Sequence, residues 1–358
     1  MNPQEQELEY PWGETLPESG HALTVADGVR WIRMPLPFAL DHINLWLLRD
    51  RVDGREGWTV VDCGIDRGEV RECWEAVFTQ ALEGLPVLRV MVTHMHPDHV
   101  GLAHWLCDRW QAPLWMTMTD YAMARLWAGA SVTDTAVEGS GPAGGAAARH
   151  FARHGLVDQE AQALIRKRHD YYAGLVPAMP ARFHRLMDGQ DVQIGGRSWR
   201  VIVGYGHAPE HASLWCPTLG VLISGDMVLP RISTNISVFD IEPEANPLPL
   251  YLDSLKAYDD LSADALVLPS HGRPFRGLHR RIAQQQAHHA ARLDDVLAAC
   301  VRPQSAHDLL PVLFRRKLDL HQLGFAMGES IAHLHALYFQ GALTRTLDDD
   351  GVYRFRQS

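Results

Sequence analysis

Thr93-His94-Met95-His96-Pro97-Asp98-His99 places three histidines and one aspartate within six positions. It follows Val87-Leu88-Arg89-Val90-Met91-Val92, a short apolar run with the β-branched bias of a buried strand. Pro97 is incompatible with a regular helix running through the stretch. The four polar side chains are therefore expected to project from a loop at the carboxyl end of the strand. Neutral imidazole and carboxylate suit a borderline cation such as Zn²⁺. The same context recurs three times downstream. A β-like run ends, a small residue or turn follows, and a ligand type appears: His207 after Tyr205-Gly206, Asp226 after Gly225, and His271 between Ser270 and Gly272.

Length and composition bound the rest. The 358 residues suit one large or two ordinary domains. At 46% hydrophobic and 21% charged, the chain can bury a sizeable core. A formal net charge of -10 disfavours a general polyanion binder. No apolar run reaches the length of a membrane span. The polar, acidic Met1 to Glu18 lacks the apolar core of a secretory signal. The five cysteines are scattered without CxxC spacing, so free thiols in a reducing cytoplasm are expected.

Strand patterns fill residues 22–37, 43–48 and 58–62, and a helical spacing of apolar residues spans Gly68 to Leu82. Residues 119–180 change texture. They are Ala-rich, with helical stretches around a Gly/Ala/Ser-rich piece at Glu138 to Ala148, and read as an inserted helical cap of the kind that often forms a lid. Strands resume at 192–194 and 199–203 around a Gly195-Gly196 turn, then at 213–215, 221–223 and 265–268. Two strand-rich halves interleaved with helices predict stacked sheets covered by helices. A strong helix pattern over Ile282 to Ala299 opens a further region. Helical pieces at Ala306 to Phe314 and Phe325 to Gln340 follow, then a hairpin around Asp348-Asp349-Asp350-Gly351. This predicts a catalytic domain over 1–279 and a small winged-helix-like domain over 280–358.

The complete HxHxDH motif, with the later His207, Asp226 and His271, resembles the metallo-β-lactamase superfamily over roughly residues 20 to 280. The resemblance implies an α/β fold, an αββα sandwich with two divalent metal ions at one edge of the sheets. Zn²⁺ is the expected metal, with Fe or Mn as alternatives. Carried over, His94, His96 and His207 hold one metal, Asp98, His99 and His271 hold the other, and Asp226 bridges them. Asp62 resembles the Asp-x-Gly turn that supports the ligand loops, and His211 either braces the site or packs internally. His96 is not the carboxylate of diiron oxygen-reducing relatives, which favours hydrolysis. Leu229 stands where some lactonase relatives carry a tyrosine three residues after the bridging aspartate, which weakens a lactonase assignment.

Two cations held close together repel, so a bridging carboxylate and hydroxide offset the repulsion, and the hydroxide is the expected nucleophile. Asp98 and Asp226 are the candidate catalytic carboxylates. The expected function is a dinuclear metallohydrolase acting on a small ester, thioester or related carbonyl substrate. One alternative is a metal-dependent endoribonuclease or phosphodiesterase, because similar tails occur there. The other is a metal-bound regulatory protein that reads nucleic acid. Tyr171 and Tyr172, with Arg168 and His169 late in the cap, are candidates to face substrate. From 283 to 358 there are eight Lys/Arg and eight Asp/Glu, and Phe325 to Gln340 carries no Lys or Arg. Phosphate contacts want cations there. The tail is therefore expected to pack against the catalytic domain or a second copy of the chain, as a homodimer. Its apolar Phe325, Ile331, Leu334 and Tyr338 are the expected buried positions.

Overall fold

The computed structural model of the chain describes residues 3–128, 144–167, 171–314 and 318–358. Most of the Gly/Ala/Ser-rich piece, Arg168, His169 and the basic triplet Arg315, Arg316 and Lys317 lie outside them. The chain divides into two compact units that do not follow chain order. One comprises Met1–Gly129, Tyr172–Thr234 and Leu255–Ile282; the other comprises Ala130–Tyr171, Asn235–Ser254 and Ala283–Ser358.

The first unit holds two sheets. The larger contains β1 (Leu23–Ala26), β2 (Val29–Pro35), β3 (His42–Val52), β4 (Arg55–Val61), β5 (Val87–Met91), β6 (Leu114–Met116) and β7 (His184–Arg185), in that spatial order. The smaller contains β8 (Asp191–Ile194), β9 (Arg197–Gly204), β10 (His211–Cys216), β11 (Val221–Gly225) and β12 (Leu266–Pro269), ordered β12-β11-β10-β9-β8. Trp31, Trp46, Leu48, Val61 and Met91 from the first sheet pack with Ile194, Trp199, Val201, Leu214, Ile223 and Leu268 from the second in one apolar cluster. That shared face is the sandwich core, and the β-branched and aromatic residues there are the types that fit a pleated, buried surface.

Topology decides where the functional residues fall. β4 and β5 are parallel, and so are β11 and β12. β9 and β11 each run antiparallel to β10, so they share a direction. The carboxyl ends of β4 and β5 thus fall together in one sheet, and those of β9, β11 and β12 in the other. Asn44 on β3 helps join the sheets. Its Nδ2 donates to the carbonyls of Pro269 (2.9 Å) and Gly272 (3.0 Å), while Trp31 Nε1 donates to its Oδ1 (2.9 Å). Each of these buried polar atoms is thereby satisfied. The Gly195-Gly196 turn joins β8 to β9 with φ of 60° and 74°, the left-handed pair that a tight hairpin requires.

Pro97 differs from its expected role. It does not keep the motif in a loop; it occupies the first position of a short helix, Pro97–Val100. A first-turn amide has no intrahelical partner, so proline's missing N–H is tolerated there. His94 and His96 precede the helix, whereas Asp98 and His99 lie within it.

Among the described residues, the second unit is helical, with one hairpin. Its longest element lying wholly inside it, Leu320–Phe339, begins five residues before the expected Phe325. The reason is a capping box: Asp319 Oδ1 accepts the Gln322 N–H (2.8 Å) and Gln322 Oε1 accepts the Asp319 N–H (3.3 Å). Gly328 is kept small by a close approach, since a Cβ there would lie 2.7 Å from the Ser237 side chain. Ile331 and Leu334 are buried as expected, but Phe325 is 40% exposed. The expected hairpin forms from β13 (Leu343–Leu347) and β14 (Tyr353–Gln357), with Gly351 at φ 77° in the connecting turn.

Candidate metal centre

The centre is built on hydrogen bonds that fix each ring before any ligand role is considered. Asp62 follows β4 in a left-handed conformation, φ 65°. Its Oδ1 accepts the Thr93 N–H (2.8 Å), and its Oδ2 accepts both the Thr93 hydroxyl (2.9 Å) and His99 Nδ1–H (2.8 Å). Because the Thr93 hydroxyl donates to Asp62, its oxygen is left to accept His94 Nδ1–H at 3.0 Å. His271 Nδ1–H donates to the His42 carbonyl (2.8 Å). Three imidazoles therefore have Nδ1 occupied and present Nε2 inward, the arrangement by which outer partners orient metal-binding histidines.

The seven side chains singled out from the sequence converge. His94, His96 and His207 form one group able to hold a metal ion, and Asp98, His99 and His271 form another; His94, His99 and Asp226 form a third that overlaps both. His94 Nε2 lies 2.9 Å from His96 Nδ1 and 3.2 Å from His207 Nε2. Asp98 Oδ2 lies 3.3 Å from His271 Nε2. Asp226 stands between the groups. Its Oδ2 is 3.4 Å from His207 Nε2, and its Oδ1 is 3.6 Å from both His99 Nε2 and His271 Nε2. Nitrogen pairs this close are satisfied either by a shared proton or by a shared cation.

Burial supports the same reading. His99 Nε2 and Asp226 Oδ1 are buried without a hydrogen-bond partner, a costly condition that a cation relieves. Burial, with the neighbouring histidines, holds His94 well below the ordinary imidazole range, and burial beside His207 holds His96 at about 3. Both rings are therefore neutral near pH 7, the form in which imidazole can bind a metal. For His99, burial opposes protonation, but Asp62, Asp98 and Asp226 outweigh it and raise the ring to about 9. Asp98 is opposed by burial in the same way, yet His99 and His271 lower it to about 2. The donor set, five imidazoles and two carboxylates, fits a pair of borderline divalent cations.

His211 braces the centre from behind. Its Nε2 accepts the Asp226 N–H at 3.0 Å. Gly225, at φ 52°, leaves room for it; a Cβ there would lie 2.2 Å from His211 Nε2. Tyr172 donates its hydroxyl to the Met95 carbonyl (2.5 Å), and its ring meets Trp127 edge-on. The hydroxyl is thus engaged by the motif loop. Tyr171 is half-buried in the second unit.

Thr93, Asp120 and His42 also shape the centre without being candidate ligands. Thr93 stands inside the motif but carries no ligand atom. His42 acts through its main-chain carbonyl on His271, and its ring Nε2 accepts the Gly272 N–H (2.9 Å). Asp120 is buried and bonded to two main-chain amides. A polar residue beside an expected strand end is the one signal any of them offers.

The family model described as Metallo-beta-lactamase superfamily matches residues 39–271, and that described as Metallo-beta-lactamase-like, C-terminal domain matches residues 293–358. The crystal structure of a β-lactamase domain protein from Burkholderia ambifaria is 55% identical, covers 100% of both chains and superposes with a TM-score of 0.92. A metallo-β-lactamase family protein from Thermus thermophilus is 27% identical, covering 94% of this chain and 100% of that one, with a TM-score of 0.76. The protein named "Probable metallo-hydrolase YqjP" from Bacillus subtilis (strain 168) is 23% identical over 332 residues, 90% of this chain and 96% of that one.

Proposed function

Because this chain belongs to the metallo-β-lactamase superfamily, we propose that it is a dinuclear metallohydrolase of a small ester, thioester or related carbonyl substrate. The observation that carries this reading is Asp226, with one carboxylate oxygen toward His207 and the other toward His99 and His271. His94, His96 and His207 hold one ion, Asp98, His99 and His271 the other, and Asp226 serves both. Zn²⁺ suits these donors best, with Fe or Mn as alternatives. Such a pair, when bound, supplies Lewis acidity and lowers the pKa of water toward neutrality.

The chain's own residues supply the rest. Asp98 is anionic at neutral pH and positioned to accept an O–H from the attacking water. Asp226 balances cationic charge without itself needing a proton. Asp62, Thr93 and His42 fix the ring tautomers, so no reorientation is needed when substrate arrives. The five unpaired cysteines, four of them buried, suit a reducing compartment such as the cytoplasm.

The test is a substrate panel. Metal-replete full-length protein is assayed against aryl esters, acyl thioesters, lactones and a labelled single-stranded RNA, with elemental analysis of the same sample. About two metals per chain are expected, with acyl hydrolysis that is lost on chelation and restored by Zn²⁺. Metal-dependent RNA cleavage without acyl hydrolysis would replace the carbonyl reading with a phosphodiester one, and metal-free protein would remove both.

We further propose that the C-terminal region does not serve nucleic acid. Helix Leu320–Phe339 carries no Lys or Arg, and from Ala326 to Leu337 every residue except Glu329 is buried. A helix covered nearly all round has no face to offer a groove, and duplex binding draws on cations meeting phosphates. Fluorescence anisotropy of the full chain with duplex DNA and RNA near physiological salt is expected to show no saturable submicromolar binding. Such binding would revive a regulatory role.

A further inference from the structure

The backbones that carry His94, His96 and His207 meet on one buried carboxylate. Asp120 is fully buried. Its Oδ1 accepts the Met95 N–H at 2.7 Å, and its Oδ2 accepts the Glu210 N–H at 2.6 Å. Met95 separates His94 from His96, and Glu210 lies between His207 and His211. Two neighbouring bonds complete the lacing. The Thr117 hydroxyl donates to the Glu210 carbonyl (2.8 Å), and the Thr119 N–H donates to Glu210 Oε2 (3.0 Å). Asp120 therefore fixes the spacing between two chain segments that are more than a hundred residues apart in sequence.

The other donor group is held by bonds that bypass Asp120. His99 is held by Asp62, and His271 by the His42 carbonyl. Nothing in that set depends directly on Asp120.

We propose that Asp120 is a positioning residue that sets the affinity of the His94/His96/His207 site for its metal while leaving the Asp98/His99/His271 site largely unaffected. This rests on the reading of those histidines as ligands of one ion. The chemistry requires a carboxylate, because both partners are amide donors and both oxygens must accept. Asparagine keeps the shape but turns an NH₂ group toward one of the two amides, so one loop is released. Changes of this kind around metal ligands typically weaken binding roughly 10- to 100-fold.

The experiment isolates each site in the full-length chain. His271→Ala disables the second group and His207→Ala the first. Co²⁺ affinity is then measured by chelator competition in each background, with and without Asp120→Asn. In the His271→Ala background, Asp120→Asn is expected to weaken Co²⁺ binding roughly 10- to 100-fold. In the His207→Ala background it is expected to change little, within about three-fold, well short of that outer-shell range. Unchanged affinity in the first background, or equal losses in both, overturns the proposal. If neither parent nor the unsubstituted chain binds Co²⁺, the ligand reading itself fails and the proposal falls with it. Should Asp120→Asn not fold, Thr117→Val removes the bond to the Glu210 carbonyl and the long 3.5 Å contact with Asp120 Oδ2, leaving both main-chain amides on Asp120. A smaller loss confined to the first site supports the proposal, and no loss overturns it.

Discussion

Asp226→Ala is expected to reduce metal content from about two ions per chain to one or fewer and to abolish turnover. Its loss should exceed the roughly 10- to 100-fold typical of changes outside the ligand shell. The carboxylate has an oxygen facing each donor group, and both groups need it. Burial works against its charge, but His271, His99 and His207 hold it well below the usual carboxylate range, so it is anionic whenever the protein is folded near neutral pH. Removing it strands two raised imidazoles, His99 and His271, with one fewer counter-charge in a buried site. Asp226→Asn separates charge from shape. Its single carbonyl oxygen can face one group only, so one ion should remain. Elemental analysis alongside turnover on the substrate found by screening decides the matter. Two retained ions with turnover within about three-fold of the unsubstituted chain, far inside the outer-shell range, would remove Asp226 from the bridging position.

The second unit is expected to lose protection from hydrogen exchange as pH falls from 7.5 to 5. Among the described residues it buries five histidines that the candidate centre does not use: His150, His154, His289, His333 and His335. Desolvation is the leading cause in each case. It lowers His150 and His333 to about 4, His289 to about 3 and His154 to about 2, and lowers His335 as well. Their surroundings offer little relief. His154 faces His150, His335, Arg345 and Arg153; His289 faces His333 and His288; Arg292 lies near His333. Glu244 acts in the opposite sense on His150 and His335, but burial outweighs it.

The sign follows from linkage. A histidine whose folded pKa is lowered contributes its full stability above about 6.5, the unfolded value, and loses it as pH falls toward the folded value. At pH 5 this is on the order of 2 kcal/mol for each ring still held neutral. Glu329, pushed up to about 7 by burial, works the other way and offsets about one ring. The net effect of the five rings is still a loss of stability as pH falls. Exchange in peptides covering 144–167 and 320–339, corrected for its intrinsic pH dependence, reads this in the full chain. His154→Phe should reduce the response by about one ring's share. Equal protection at both pH values would show that these rings are not held neutral.

Much of the centre is legible in the sequence because its side chains stand where strands end. A strand end is marked by composition, and a histidine or aspartate just beyond it is conspicuous. The residues that orient those side chains leave no such mark. Asp120 acts on amides 25 and 90 positions away, and His42 acts through a carbonyl that every residue possesses. Glycines at 324 and 328 obscure the apolar period at the start of helix Leu320–Phe339, and the cap at Asp319–Gln322 outweighs them. Phe325 reads as interior by residue type alone. The buried histidines of the second unit have no motif, so only packing reveals them.

The bonds from Asn44 to Pro269 and Gly272 span 225 and 228 positions. During synthesis, most of the first sheet emerges long before β12 and His271, which lies just beyond it. Before that segment leaves the ribosome the candidate group His94, His96 and His207 can already gather, whereas Asp98, His99 and His271 cannot. Long-range closure of this kind is slow relative to local helix formation. The seven candidate ligands therefore come together only once β12 has closed the smaller sheet.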